Sequence, residues 1–165
     1  MMKNVNARTI SLMVSIIFYG IFIGGIVYSH VAFFPSYLSA LPASAALTNG
    51  PYALHDEFFW TLIHPLAILA LIVALVLNWK IPTRRKLIAI PLVLYVIAII
   101  ATFLYFVPEL RAFRSSPSSS VSAVEWYARG QRWQHLSWTR GTILGLAMIP
   151  LLLALITPEN DRGWT

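Results

Sequence analysis

The chain contains no cysteine. Disulfides, cysteine-ligated zinc, iron–sulfur clusters and thiol nucleophiles are therefore excluded, and any metal chemistry must draw on His, Asp, Glu or Tyr. Charge is scarce too: 11% of residues are charged, where a soluble domain carries roughly 25%. Acidic residues are the scarcer sign, 6 Asp and Glu against 12 Lys and Arg, for a net charge of +6. No internal repeat is evident and no continuous polar path runs along the apolar segments, which sets channel or transporter activity below other readings.

What fills the sequence instead is hydrocarbon. Hydrophobic residues make up 58% of the 165 positions and mean hydropathy is +0.72. A chain this apolar needs lipid over its outer face, and its length suits a single domain over 1–165. Crossing the hydrocarbon core takes about 20 apolar residues in a helix. Four stretches qualify, at about 9–29, 58–79, 87–107 and 133–156. Inside lipid the backbone must satisfy its own hydrogen bonds, so these spans are helices, and their long apolar runs lack the alternation of a barrel. The first span is longer than the apolar stretch of a signal peptide and reads as a retained anchor. The expected fold class is all-α: an integral membrane four-helix bundle of antiparallel, up-down topology.

The short basic link from Asn78 to Lys86 forces spans 2 and 3 into an antiparallel hairpin. The links after spans 1 and 3 are longer. One carries Pro35, Pro42, Gly50 and Pro51, the other Ser115 through Ser120, and both have room for short interfacial helices. Lys3, Arg8, Lys80, Arg84, Arg85, Lys86 and Arg162 fall on one side of the membrane, against Arg111, Arg114, Arg129 and Arg132 on the other. The positive-inside rule then places both termini in the cytoplasm, as in a bacterial inner membrane. The same topology accounts for the basic residues, so nucleic acid is not the partner they imply; anionic lipid headgroups are.

Alternating span direction gathers every histidine at the opposite, non-cytoplasmic end. His30 closes span 1, His55 and His64 lie at and within the start of span 2, and His135 opens span 4. Asp56, Glu57, Glu109 and Glu125 belong to the same end. Helical phase groups them further. Glu57, Thr61 and His64 share a face of span 2 with Trp60, ahead of Pro65. Tyr95, Thr102, Tyr105 and Glu109 form a polar stripe on span 3. Tyr19, Ile26 and His30 share a face of span 1. On span 4, Arg132, His135, Thr139 and Thr142 make one stripe, and Trp133, Ser137 and Arg140 the adjacent one. Arg140 lies about two turns, or roughly 10 Å, inside its span. An ionisable group at that depth points into the bundle and needs a partner, for which Glu57 and Glu109 are the candidates.

His55 reads as interfacial. His64 sits deeper and is the candidate base or metal ligand. His30, His64 and His135 come from three spans and are the candidate ligands of one transition metal, or in pairs of a haem b iron, although no local two-histidine motif supports either. Gly20 and Gly24, and again Gly141 and Gly145, make GxxxG pairs suited to close packing within the bundle, or less readily to a homo-oligomer. Trp60, Trp126, Trp133 and Trp138 crowd the same end as belt residues or as walls of an aromatic pocket.

Two local segments, together with chain length and span arrangement, carry a family likeness. One is His30-Val31-Ala32-Phe33-Phe34-Pro35-Ser36-Tyr37-Leu38; the other is Arg132-Trp133-Gln134-His135-Leu136-Ser137-Trp138-Thr139-Arg140. In these the chain resembles the anthrone oxygenase-like family of small four-helix membrane proteins, whose members tend to show a Trp followed two turns later by an Arg, as Trp133 and Arg140 do. An Asn often found between them is Ser137 here. Fungal members oxidise anthrones to anthraquinones with dioxygen. The resemblance implies an oxygen-linked redox reaction on an aromatic or quinone-like molecule. His64 would be the base or metal ligand, His30 and His135 ligands or proton carriers, Arg140 the holder of a developing oxyanion, with Tyr105 and Glu57 behind them. Two other readings stay open: a haem- or metal-binding electron-transfer protein, and a non-enzymatic accessory or small-molecule-binding membrane protein in which the His and Arg residues are structural.

Overall fold

Local chemistry sets where each helix starts. In the computed structural model, which describes residues 6–41, 43–49, 51–115 and 121–159, Asn6 caps the first helix by accepting from the Thr9 amide at 3.1 Å. Ser122 caps the last by accepting from the Glu125 amide at 3.2 Å, the Ser-x-x-Glu pattern of a capping box. Pro82 occupies the first turn of the third, where its missing N–H costs nothing. The four helices are α1 (Ala7–Leu38), α2 (Glu57–Leu77), α3 (Pro82–Arg114) and α4 (Ala123–Ile156). Each is long and apolar enough to cross a membrane, and among the described residues there is no strand. A 3-10 turn at Ala43–Thr48 lies between α1 and α2. The residues expected to lie in the loops at Pro42, Gly50 and Ser116 through Ser120, and the charges Lys3 and Arg162, fall outside the described residues.

The helices pack in a ring, α1 on α2, α2 on α3, α3 on α4 and α4 on α1. Their outer faces carry the apolar residues that a soluble protein would bury, including Ile17, Leu69, Val76, Val93, Ile97 and Leu146. The chain is a membrane-embedded helical bundle.

Three of the four helices are far longer than the expected spans. At 32, 33 and 34 residues, α1, α3 and α4 run about 48–51 Å, whereas 21-residue α2 runs about 31 Å and matches the hydrocarbon core. The helices end together at the basic end, so the excess projects from the other. The segments read as loops after spans 1 and 3 are largely helix, and α4 starts ten residues before the expected span at 133. The reason is a second core. Phe33, Phe34, Tyr37 and Leu38 of α1, Phe106 and Phe113 of α3, and Trp126 and Trp133 of α4 bury one another in the projecting part. Amphipathic helix continues there after overall hydropathy has fallen. The main core, with Tyr19, Phe22, Leu71, Ile88, Tyr95 and Leu151, fills the spans.

The basic end is tied by an arginine that topology alone treats as a loop charge. Arg84 is 4% exposed. It donates to the Thr157 carbonyl at the end of α4 (2.9 and 2.6 Å) and to Asn78 Oδ1 after α2 (3.1 Å). Asn78 in turn donates to the Ala74 carbonyl (2.9 Å) and the Arg8 carbonyl (3.3 Å). Asn6 donates to Glu159 at 2.6 Å, tying the start of α1 to the segment just after α4. This network joins the basic ends of all four helices, and the Thr157 carbonyl, past the last turn of α4, finds its donor in Arg84.

Candidate functional site

Two π-helical turns sit where the two cores meet: Ser29–Phe33 in α1 and Thr102–Phe106 in α3. Each closes with an i→i−5 bond, Phe34 N to Ser29 O and Val107 N to Thr102 O. Each lies just ahead of a proline, Pro35 and Pro108. A proline ring clashes with the carbonyl four residues back and cannot bond it, and a widened turn absorbs the misfit.

Arg140 reaches α3 at this level. Its Nη1 donates to Thr102 Oγ1 at 2.6 Å and its Nη2 to Ser137 Oγ at 3.1 Å. The guanidinium carbon lies 3.9 Å from the centre of the Phe106 ring. Neither expected carboxylate, Glu57 nor Glu109, partners it. Glu109 is held by Arg129 through a bidentate pair at 3.0 Å, and Glu57 by His55 at 3.0 Å with Arg114 at 3.9 Å. Both carboxylates lie toward the projecting part, where partners nearer than Arg140 capture them. Among the described residues Arg140 therefore has two hydroxyls and a ring, and no carboxylate, as its partners.

His64 and His30 enter the bundle from α2 and α1. His64 Nδ1 lies 2.8 Å from the Tyr95 hydroxyl, and its ring packs on Trp60 and Phe22. His30 is 3% exposed, with its ring on Trp138 and Phe34. Its Nδ1 is 2.8 Å from the Ile26 carbonyl. A carbonyl only accepts, so Nδ1 carries the proton there, and Nε2 presents a buried lone pair without a hydrogen-bond partner. Phe22, beside His64, and His30 are eight residues apart on α1, so about 12 Å separate their levels.

His135 does not join them. It is exposed, as are Arg132, Thr139 and Thr142 of its stripe, while Trp133 and Ser137 of the adjacent stripe are buried and Arg140 is partly buried. α4 turns the second stripe inward because Gly141 abuts Ile26: a Cβ there would sit 2.8 Å from Ile26 Cγ2. The convergence expected of His30, His64 and His135 on one metal is not formed, and among the described residues no group of three or more His, Asp or Glu is placed to hold a metal ion. Glu57 is exposed and paired with His55. Tyr105 is half-buried and lies on the Arg140 side of α3.

Between α3 and α4 a cavity of about 380 Å³ opens beside Arg140. Its lining is apolar apart from Arg140, Tyr105 and Thr139, and Ile97, Leu136 and Ile143 on its rim are exposed residues of the bundle's flank. In a membrane that flank is lipid. A larger cavity of about 470 Å³ lies between α1 and the start of α2. Its Asp56 and His55 are already engaged: Asp56 accepts from Arg114 (2.8 Å) and from Trp60 Nε1 (3.2 Å), and His55 is paired with Glu57. The smaller cavity is the one with an unsatisfied charge.

Phe106 and Phe22, which wall the arginine and His64, carry no polar signal and are missed by a search for polar stripes. Pro108, two residues after Phe106, is the sequence mark that something irregular lies there. Comparison with protein family models, with curated proteins and with solved structures finds no match, so the likeness to anthrone oxygenases rests on the residues quoted for it alone.

Proposed function

We infer that this bundle takes up an aromatic or quinone-like molecule at Arg140 and supports its oxidation by dioxygen. The observation that carries the reading is a cation within the membrane-spanning bundle, bonded to two hydroxyls and no carboxylate, beside an apolar cavity. Such a group is costly at that depth unless an oxygen of a ligand completes its bonding. Arg140 holds the ring oxygen as it gains negative charge. His64 is the first base for an acidic ring C–H, and His30 is a second, supported by its unshared Nε2 lone pair. The step balances without a metal. The base takes one proton, the enolate carbon adds dioxygen, the hydroperoxide is protonated, and loss of water leaves a new carbonyl.

The test is oxygen uptake by detergent-purified protein given an anthrone. Uptake should fall at least tenfold in Arg140→Gln and in His64→Gln, and wild-type protein that leaves the background oxidation rate unchanged rules out the enzymatic reading. Binding without turnover is the second reading, favoured by the way His64 and Tyr95 satisfy each other inside the bundle. A saturable spectral shift of a bound quinone with no oxygen uptake selects it. An absorption spectrum and elemental analysis of the same sample test the haem and transition-metal alternatives.

A further inference from the structure

The cavity beside Arg140 is elongated along the bundle. Tyr105 and Leu136 line the end toward the projecting part, and Leu94, Ile97 and Ile143 the end toward the bilayer centre. From Leu94 to Tyr105 is eleven residues of α3, about 16 Å. Arg140 lies nearer the former end. Polar lining groups, Tyr105, Thr139 and Arg140, gather there, and the remainder is hydrocarbon. A lone cation at one end of an apolar slot complements an amphiphile with an acidic oxygen at one end and an alkyl chain behind it. The guanidinium fork, with only Nη1 and Nη2 engaged by Thr102 and Ser137, retains N–H donors for an anionic oxygen.

We propose that the α3–α4 groove seats a single-tailed acidic amphiphile drawn sideways from the bilayer, its anionic ring oxygen on Arg140 and its chain along Leu94, Ile97 and Ile143. This rests on the reading of Arg140 as an oxygen-binding group and adds that the ligand carries a tail and arrives through lipid. The charge sign follows from the absence of a carboxylate on Arg140, and the tail direction from the position of the cation toward one end of the slot. Ile97 is 57% exposed, so the groove opens on the flank and not on the polar end of the bundle.

The experiment compares two probes with the same ionised head, a hydroxynaphthoquinone and its long-chain alkyl derivative, binding to the full chain in nanodiscs and read by tryptophan quenching. Arg140→Gln should weaken both probes by about tenfold or more, the loss expected for a charge-assisted bond. Ile97→Phe, which adds bulk at a lipid-exposed rim position, and Ala98→Phe, which fills the groove from within on the tail side of the cation, should weaken the alkylated probe about tenfold and leave the tailless one within twofold. A thermal melt confirms that each variant is folded, and Ile97→Phe, on the lipid face, keeps the test available should Ala98→Phe not fold. Equal effects of the groove variants on both probes, or none on either, overturn the groove assignment, while Arg140-dependent binding of the tailless probe still upholds the oxygen-binding reading. If neither probe binds wild-type protein, both fail.

Discussion

Two arginines lie inside this bundle, held in opposite ways. Arg84 gives three hydrogen bonds to the Thr157 carbonyl and Asn78 and lies 3.8 Å from Glu159. Replacing it with Met strands those acceptors, and the expected loss is about 3 kcal/mol of stability. Arg140 has two hydroxyl bonds and no counter-charge, so Arg140→Met removes a costly cation together with little bonding. Its thermal unfolding in detergent should match or exceed wild type while ligand binding is lost. A lower melting temperature for Arg140→Met than for Arg84→Met would show that the charge is structural. The His64–Tyr95 pair makes a finer comparison. A double-mutant cycle with His64→Phe and Tyr95→Phe should give a coupling of about 0.6 kcal/mol, typical of hydrogen bonds between helices in lipid.

Among the helices, the stripe on α3 is readable from spacing alone. Tyr95, Thr102 and Glu109 meet His64, Arg140 and Arg129 respectively. A polar side chain on an apolar helix has few places to go, and the period gives its direction. On α4 the spacing yields two adjacent polar stripes, and nothing local decides between them. The deciding contact is Gly141 on Ile26, a tertiary fact, and it turns His135 outward. The glycine pairs divide in the same way: Gly24 and Gly145 face open space, while Gly141 is tightly packed and Gly25 meets the Phe59 ring. Gly141→Ala should destabilise by about 1–3 kcal/mol through overpacking, and Gly145→Ala should leave the denaturation midpoint unchanged. The π turns make a further expectation. A π turn behaves as one residue inserted in a helix. Deleting Leu104, the most exposed residue of the Thr102–Phe106 turn at 78%, should preserve folding while disturbing the Arg140 contacts. Deleting Ile97 from the regular part of α3 should abolish folding, because everything beyond it rotates by about 100°. Circular dichroism and gel filtration of both deletions check this.

At the scale of the whole molecule, four apolar helices are legible because lipid imposes a length and a hydropathy that few other structures need, and the short link from Asn78 to Lys86 makes the pairing of α2 with α3 legible too. The projecting ends are not, since their burial depends on three helices packing together and their own hydropathy is ordinary. The orientation expected from the charge distribution is open to direct trial in a chain without cysteine. Single cysteines at exposed Ser39 and Lys80 should react with a membrane-impermeant maleimide in intact cells at Ser39 only. Reaction at Lys80 alone would reverse the topology.

Only α2 has the length of the hydrocarbon layer. The other three helices offer more helix than the layer needs, so a change in bilayer thickness acts chiefly on α2. At its outer end α2 is moored to the projecting part through Asp56, which accepts from Arg114 of α3, and Trp60, which donates to Asp56. A thicker bilayer would load that mooring, and a thinner one would expose Phe58 and Phe59 to headgroups, each at a fraction of a kcal/mol per ångström. The shortest helix, on which His64 rides, is thus the one that a change in bilayer thickness strains most.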